Sequence, residues 1–243
     1  MEERVIHNQT FNESESQEQM NKIIQENNLF RRARTEEARN IRKTALLNAA
    51  KVIFFENGYK NTTIKDITDK AGVSIGTFYL YFDNKLMIYK NVLFEGILQL
   101  EQHLRNSVKS YDPNKESAEF LLKILAKSYV DYYVQNPEYF DIIAVLNLSE
   151  EELRENHSRI SREIHVKARD VLKFIESIIR LGKQKKEFTV ENTGAAATGI
   201  WALLEGILIL NHRNNLTLLK QDLYKLVDFS VNVFIAGLKV KEL

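Results

Sequence analysis

The chain has 243 residues, 34 Lys plus Arg against 33 Asp plus Glu, a net charge of +1 and no cysteine. The missing thiols exclude a disulfide framework, a zinc finger and a thiol nucleophile, and fit a reducing, cytoplasmic setting. A hydrophobic fraction of 44% with 28% charged residues describes a globular protein, and 2 prolines, where average usage gives about a dozen, leave helices uninterrupted.

Residues 1–30 are rich in Glu, Gln, Asn and Ser and poor in large apolar side chains; they are expected to form a flexible acidic, polar tail. No apolar run of signal-peptide length follows Glu2 and Glu3. Helical period begins near Thr35, a cap followed by Glu36 and Glu37. It continues through Ile41, Ala45, Ala49, Val52 and Ile53 to a stop at Asn57-Gly58. Two short helices are expected at Thr63–Lys70 and Ser74–Tyr81, separated by Ala71-Gly72-Val73. Asp83 is expected to cap a long helix with Leu86, Tyr89, Leu93, Ile97, Leu100, Leu104 and Val108 on one stripe, ending before Asp112-Pro113. Ser117 caps a run to Val134, and Asn136-Pro137 starts another. Ser149 with Glu150, Glu151 and Glu152 opens an amphipathic stretch ending near Gly182. The last helices are expected at Thr193–His212 and Leu218–Leu238. The stretch Ala195 to Leu210 is shorter than the roughly 20 residues of a bilayer span and contains Glu205, so no membrane partner is expected. With no strand alternation of useful length, the fold class reads as all-α.

No catalytic signature is present: no G-x-S-x-G, no phosphate-binding glycine loop, no H-E-x-x-H. His157 and His165 lie two turns apart without a third ligand, and the three glutamates at 150–152 suit a helix first turn better than an acid/base pair. Catalytic residues, metal and cofactor are therefore all expected to be none.

The informative segment is Thr62 to Lys85, TTIKDITDKAGVSIGTFYLYFDNK. Two helices joined by a three-residue turn, with Gly72 free to take positive φ, set a second helix across the first in the way a major-groove reader needs. Ile64, Ile67 and Ala71 can face Val73, Phe78 and Tyr81, leaving Ser74, Ile75, Gly76, Thr77 and Tyr79 outward. Hydroxyls, an Ile for a thymine methyl and a Gly for close approach all suit DNA. By spacing alone an ordinary helical hairpin accounts for the pattern equally well.

From Leu46 to Val92 the chain resembles the DNA-binding domain of TetR-family transcriptional regulators. The likeness rests on Ala49-Ala50, Phe54-Phe55, Gly58-Tyr59, Thr62-Thr63, Ile67, Ala71-Gly72-Val73-Ser74, Gly76-Thr77-Phe78-Tyr79, and Tyr81-Phe82 followed by Lys85. The resemblance implies that Thr63 caps the second helix and holds a phosphate. It also implies that Ser74, Thr77 and Tyr79 face DNA, with Ile75, Gly76 and Tyr81 beside them, and that Lys85 neutralises a phosphate. Two departures stand out. Thr68 takes the place of a small Ala at the helix crossing, where its hydroxyl can bond back to the helix, and Leu86 replaces a common acidic residue.

Family likeness further implies an N-terminal helix-turn-helix domain at 31–90 and a helical ligand-binding and dimerisation domain at 91–243. Small residues Ala195, Gly199, Ala202 and Gly206 step along one face of their helix and, with Leu223, Val227 and Phe234, would build a two-fold four-helix interface; packing within the chain is the plainer alternative. Phe94, Tyr129, Tyr132, Tyr133, Phe140, Phe174 and Trp201 would line an apolar effector pocket, although aromatics at helical spacing are more often core. The expected protein is a homodimeric repressor that binds a double-stranded operator and is released by a small, largely hydrophobic effector. The alternatives are a DNA-organising or cell-division factor of the same fold, and a helical carrier or enzyme that binds no DNA. Charge fits the first: residues 1–30 carry 2 basic and 6 acidic side chains, 31–90 carry 12 and 6, and 91–243 carry 20 and 21. The near-neutral total conceals a basic head. Arg34 and Arg42, with Arg31, Arg32, Arg39 and Lys43, could form an arm for an adjacent minor groove, or simply a solvated helix start.

Overall fold

The computed structural model describes residues 13–137, 139, 159–213 and 215–239. Among them the chain is helical, without a strand, as the sequence indicated. The principal helices are α1 (Glu13–Asn61), α2 (Ile64–Ala71), α3 (Ile75–Tyr79), α4 (Lys85–Val108), α5 (Ala118–Gln135), α6 (Arg159–Gln184), α7 (Thr193–His212), α8 (Asn215–Leu218) and α9 (Leu223–Lys239). Contacts divide the chain into two compact units, residues 1–46 and 47–243. Residue 30 lies inside α1, and residue 90 lies inside the continuous α4.

Helix α1 starts at Glu13 rather than Thr35, so the stretch expected as a tail is helical from Glu13 onward. No Gly or Pro occurs between Glu13 and Asn57, and Glu, Gln, Lys and Arg dominate its first half, so intrinsic propensity carries the helix. Residues 1–12 lie outside the described ones. Gly58 (φ 72°, ψ 164°) breaks the helix where Asn57-Gly58 led one to expect it.

Thr63 caps α2 in a reciprocal box: its hydroxyl accepts the Asp66 N–H (3.2 Å), and the Asp66 carboxylate accepts the Thr63 N–H (2.8 Å). Gly72 closes α2 in the left-handed region (φ 67°, ψ 32°). Helix α3 ends at Tyr79, two residues earlier than expected, because Leu80 closes it with a three-residue bond to Thr77 O (3.2 Å). The cap of α4 is Asn84, not Asp83. The Asn84 side chain accepts the Met87 N–H at 2.9 Å, whereas Asp83 is one residue too far from the first turn to do so. Ser117 caps α5 as expected, its Oγ accepting the Phe120 N–H (3.1 Å), and the Glu187 carboxylate accepts the Ala118 N–H (2.7 Å).

The Ser149 and Glu150–Glu152 start proposed for the next amphipathic helix, and His157, lie outside the described residues. α7 has the expected bounds. The last expected helix is instead two. Lys220 takes positive φ (51°) after α8, and Asp222 accepts the Lys225 N–H (2.9 Å) to start α9. The core forms where α4 meets α5 and α6, α6 meets α7, and α9 lies on α5 and α7. At 20 residues, α7 is long and apolar enough to cross a membrane by length and composition alone. The expected shortness thus does not hold, but Ala196, Ala197, Ile200, Leu204, Ile207 and Leu208 are buried within this chain.

Candidate functional site

The two-helix motif is held by one apolar seam. Ile67 of α2 and Phe78 of α3 are fully buried, Phe78 stacks edge-on against Tyr79 (5.4 Å) and packs on Phe82 (5.7 Å), and Thr68 at the crossing donates back to Lys65 O (3.0 Å). Burying Phe78 turns the other side of the short helix outward. Ser74 and Gly76 are exposed, Ile75 is 45% and Tyr79 54% accessible, and Thr77 and Tyr81 are half-buried. Ser74 caps α3: its Oγ accepts the Thr77 N–H (3.1 Å) and lies 2.9 Å from the Thr77 hydroxyl, so the two side chains form one rigid polar corner. Thr63 is likewise exposed and engaged with Asp66, whose carboxyl its hydroxyl and backbone N–H hold below the usual range.

Lys85, expected at a phosphate, is engaged within the chain here. Its Nζ donates to Tyr59 O and Thr62 O, both at 2.7 Å, and lies 4.4 Å from the Tyr59 ring centre. The cation thus closes the end of α1 onto the start of α4, because Gly58 has left those carbonyls without helical partners. Arg34 and Arg42 lie on the part of α1 belonging to the 1–46 unit, with Arg42 exposed.

Residues 46–92 match the model of the bacterial regulatory proteins of the tetR family. Over these residues the chain is similar to the N-terminal part of tetR-family regulators. A helix-turn-helix regulator of Bacillus subtilis, YfiR, is 34% identical over 76 residues, 31% of this chain and 36% of YfiR, so the likeness covers about a third of that relative. The repressor BepR of Brucella suis is 25% identical over 183 residues, 74% of this chain and 83% of BepR. FadR of B. subtilis, solved with stearoyl-CoA, has the same fold, with a TM-score of 0.63 at 22% identity, covering 80% of this chain and 98% of FadR.

The structure places the aromatic residues expected at an effector pocket in several surroundings. Tyr129 and Trp201, 5.8 Å apart between ring centres, do line a common cavity, closed by Leu104 of α4, Leu122 of α5, Ile175 of α6 and Ile200 of α7. Its volume is about 20 Å³, room for about one water. Tyr132 instead donates to Gly96 O (3.0 Å), Tyr133 is buried, Phe94 is half-buried, and Phe174 lies under the Arg105 guanidinium (4.6 Å). Phe140 lies outside the described residues. Glu205, a lone carboxylate inside an apolar helix that was not singled out for any site, lies beside Tyr129 and accepts its hydroxyl.

The expected interface residues separate into two groups. Ala195, Ala202 and Gly206 are exposed along α7, and Leu223 is half-buried. Gly199 faces inward instead, where a Cβ would stand 3.2 Å from the Phe234 ring, and Val227 is buried in the chain's own core. Within the chain, α9 packs its Val227 and Phe234 face onto α7 and α5, and its opposite face leaves Phe229 (66%) and Val233 (57%) in solvent.

Proposed function

We propose that this chain is a cytoplasmic, homodimeric repressor whose α3 reads a duplex operator and whose helical C-terminal part, residues 91–243, releases the operator when a small, largely hydrophobic effector binds. The observation that carries the DNA reading is the division of α3, with Phe78 sealed into the motif and Ile75, Thr77 and Tyr79 on the open side beside the Ser74 cap. Those side chains suit base edges and phosphates. The dimer reading is supported by the uncovered Ala195, Ala202, Gly206, Phe229 and Val233 surface. Two copies are needed to reach half-sites about 34–36 Å apart. FadR, of the same fold, was solved with an acyl-CoA, which supports an apolar effector here. A ligand bound in the cavity beside Tyr129 and Trp201, about 20 Å³ in this structure, would part the surrounding helices.

A duplex selected from a random library by the purified protein tests the DNA reading. Thr77→Ala with Tyr79→Ala should abolish sequence preference while leaving the dimer and its melting unchanged. Retention of the selected sequence would remove α3 as the reader. Affinity should fall steeply with salt, since phosphate contact releases counterions, and a flat log–log plot would exclude that contact.

A further inference from the structure

Glu205 lies on α7 immediately after Leu204, a cavity-lining residue. Its carboxylate accepts a hydrogen bond from the Tyr129 hydroxyl and another from the Trp201 indole N–H, one turn earlier on α7. Tyr129 and Trp201 are both among the residues that line the cavity, which places the carboxylate next to its edge. Both are also neutral, and among the described residues no Lys, Arg or His pairs with this carboxylate. A carboxylate offers about four acceptor positions, of which two are used here. Burial raises the Glu205 pKa and the two donors oppose that shift. An anion left among apolar walls with neutral donors alone is costly, and a cation or N–H donor entering beside it would be favoured. A few polar groups at the edge of an apolar cavity are what orient and select a ligand.

We propose that Tyr129, Glu205 and Trp201 form the polar end of the effector site, and that the site selects a lipophilic amine: an apolar body with a cationic or N–H-donating nitrogen seated against the Glu205 carboxylate. The inference rests on the effector-controlled reading above and names the chemistry of its ligand. A ligand headed by a carboxylate would set like charges together where little water screens them, so it is disfavoured at the same position.

The test uses the full-length protein and three ten-carbon probes, decylamine, decanol and decanoate, each titrated calorimetrically below its aggregation concentration. Decylamine should bind about tenfold or more tightly than decanoate, with decanol between them. Glu205→Gln should erase the amine's advantage and leave decanol within about twofold. Tyr129→Phe, which keeps the carboxylate and removes one donor, should retain the amine preference and covers the case in which Glu205→Gln does not fold. Equal or tighter binding of decanoate to the unaltered protein overturns the inference while decanol binding preserves the effector reading; so does an amine preference unchanged in Glu205→Gln. If none of the three probes binds, the effector reading fails and the inference with it.

Discussion

Lys85→Met separates two physical roles that place the same cation at the edge of the DNA-binding motif. In the structure the Lys85 Nζ holds Tyr59 O and Thr62 O at 2.7 Å each and faces the Tyr59 ring at 4.4 Å. Hydrogen bonds involving a charged group contribute about 1.5–3 kcal/mol each, and a cation–π contact about 0.5–1 kcal/mol at a partly exposed site. Lys85 is half-buried, so water can replace part of what is lost, and Met keeps the packing of the aliphatic stem. A net loss of about 2–3 kcal/mol follows from taking the lower values. For a chain of this size that is a fall in Tm of roughly 5–10 °C. Urea unfolding followed by circular dichroism gives the stability, and a salt titration against the selected duplex gives the number of phosphate contacts. The structural role predicts the loss of stability with an unchanged salt slope. A stability change below about 0.5 kcal/mol with a slope shallower by about 0.9 per protomer would refute it and return Lys85 to phosphate binding.

Gly72→Ala should lower stability by about 1 kcal/mol, because φ of 67° is strained for any side chain even though nothing lies within 4 Å of the new Cβ; an unchanged midpoint in urea would show that the turn relaxes freely. Gly96→Ala brings a Cβ to 2.5 Å from the Tyr139 ring, so about 1–3 kcal/mol of overpacking is expected, readable as a fall in Tm, and no fall would mean that the ring moves aside at little energy. Glu205→Gln gives a pH dependence with a definite sign. Burial, partly opposed by Tyr129 and Trp201, holds the folded carboxyl above its ordinary value of 4.5, so the folded state binds that proton more tightly than the unfolded chain. Stability from this group is complete below about pH 4.5 and declines as pH rises through the folded value. The Gln variant should therefore gain on the unaltered protein between pH 5 and pH 8 in paired melts, and a gap that is constant over that range would rule out ionisation of Glu205 as its cause.

The DNA-binding motif was legible because its determinants are local. Thr63 and Asp66 are three residues apart, Gly72 sits at the left-handed turn, and Ser74 caps the helix that carries Thr77 and Tyr79. Each can be read from a few neighbouring side chains. Asn84 against Asp83 shows the limit of such reading, since two good capping residues in succession differ only in which one reaches the Met87 N–H. The contacts of Lys85 with Tyr59 O and Thr62 O were not legible, because those acceptors stand more than twenty residues earlier in the chain. The start of α1 was misjudged for the opposite reason: poverty of apolar residues before Ile23 was taken to preclude order, whereas uninterrupted helix formers suffice to continue a helix already anchored further along. In the C-terminal part, helix existence was plain from period, but facing was not. Tyr129 and Tyr132 are three residues apart on α5, yet one reaches Glu205 on α7 and the other Gly96 on α4. Which aromatic residue meets the cavity depends on helix-to-helix contacts that periodicity does not contain.

Helix α4 connects the two activities proposed for residues 47–243. Its first residue, Lys85, fastens the end of α1, and Leu104 near its other end lines the cavity. Nineteen residues of α-helix separate them, about 28 Å. Midway, Gly96 receives the Tyr132 hydroxyl from α5 and the face of the Tyr139 ring, and the Tyr139 hydroxyl in turn accepts Lys51 Nζ of α1 at 3.1 Å. An effector seated in the cavity beside Tyr129 and Trp201, as proposed, would displace a wall made by α4, α5, α6 and α7. At Gly96 the α4 backbone is in direct contact with Tyr132 of α5 and with Tyr139, so under the proposed function a movement of α5 against α4 would be felt there first. Release of DNA then requires only that the ligand favour the parted arrangement over the closed one, by about 1.4 kcal/mol for each tenfold loss of operator affinity.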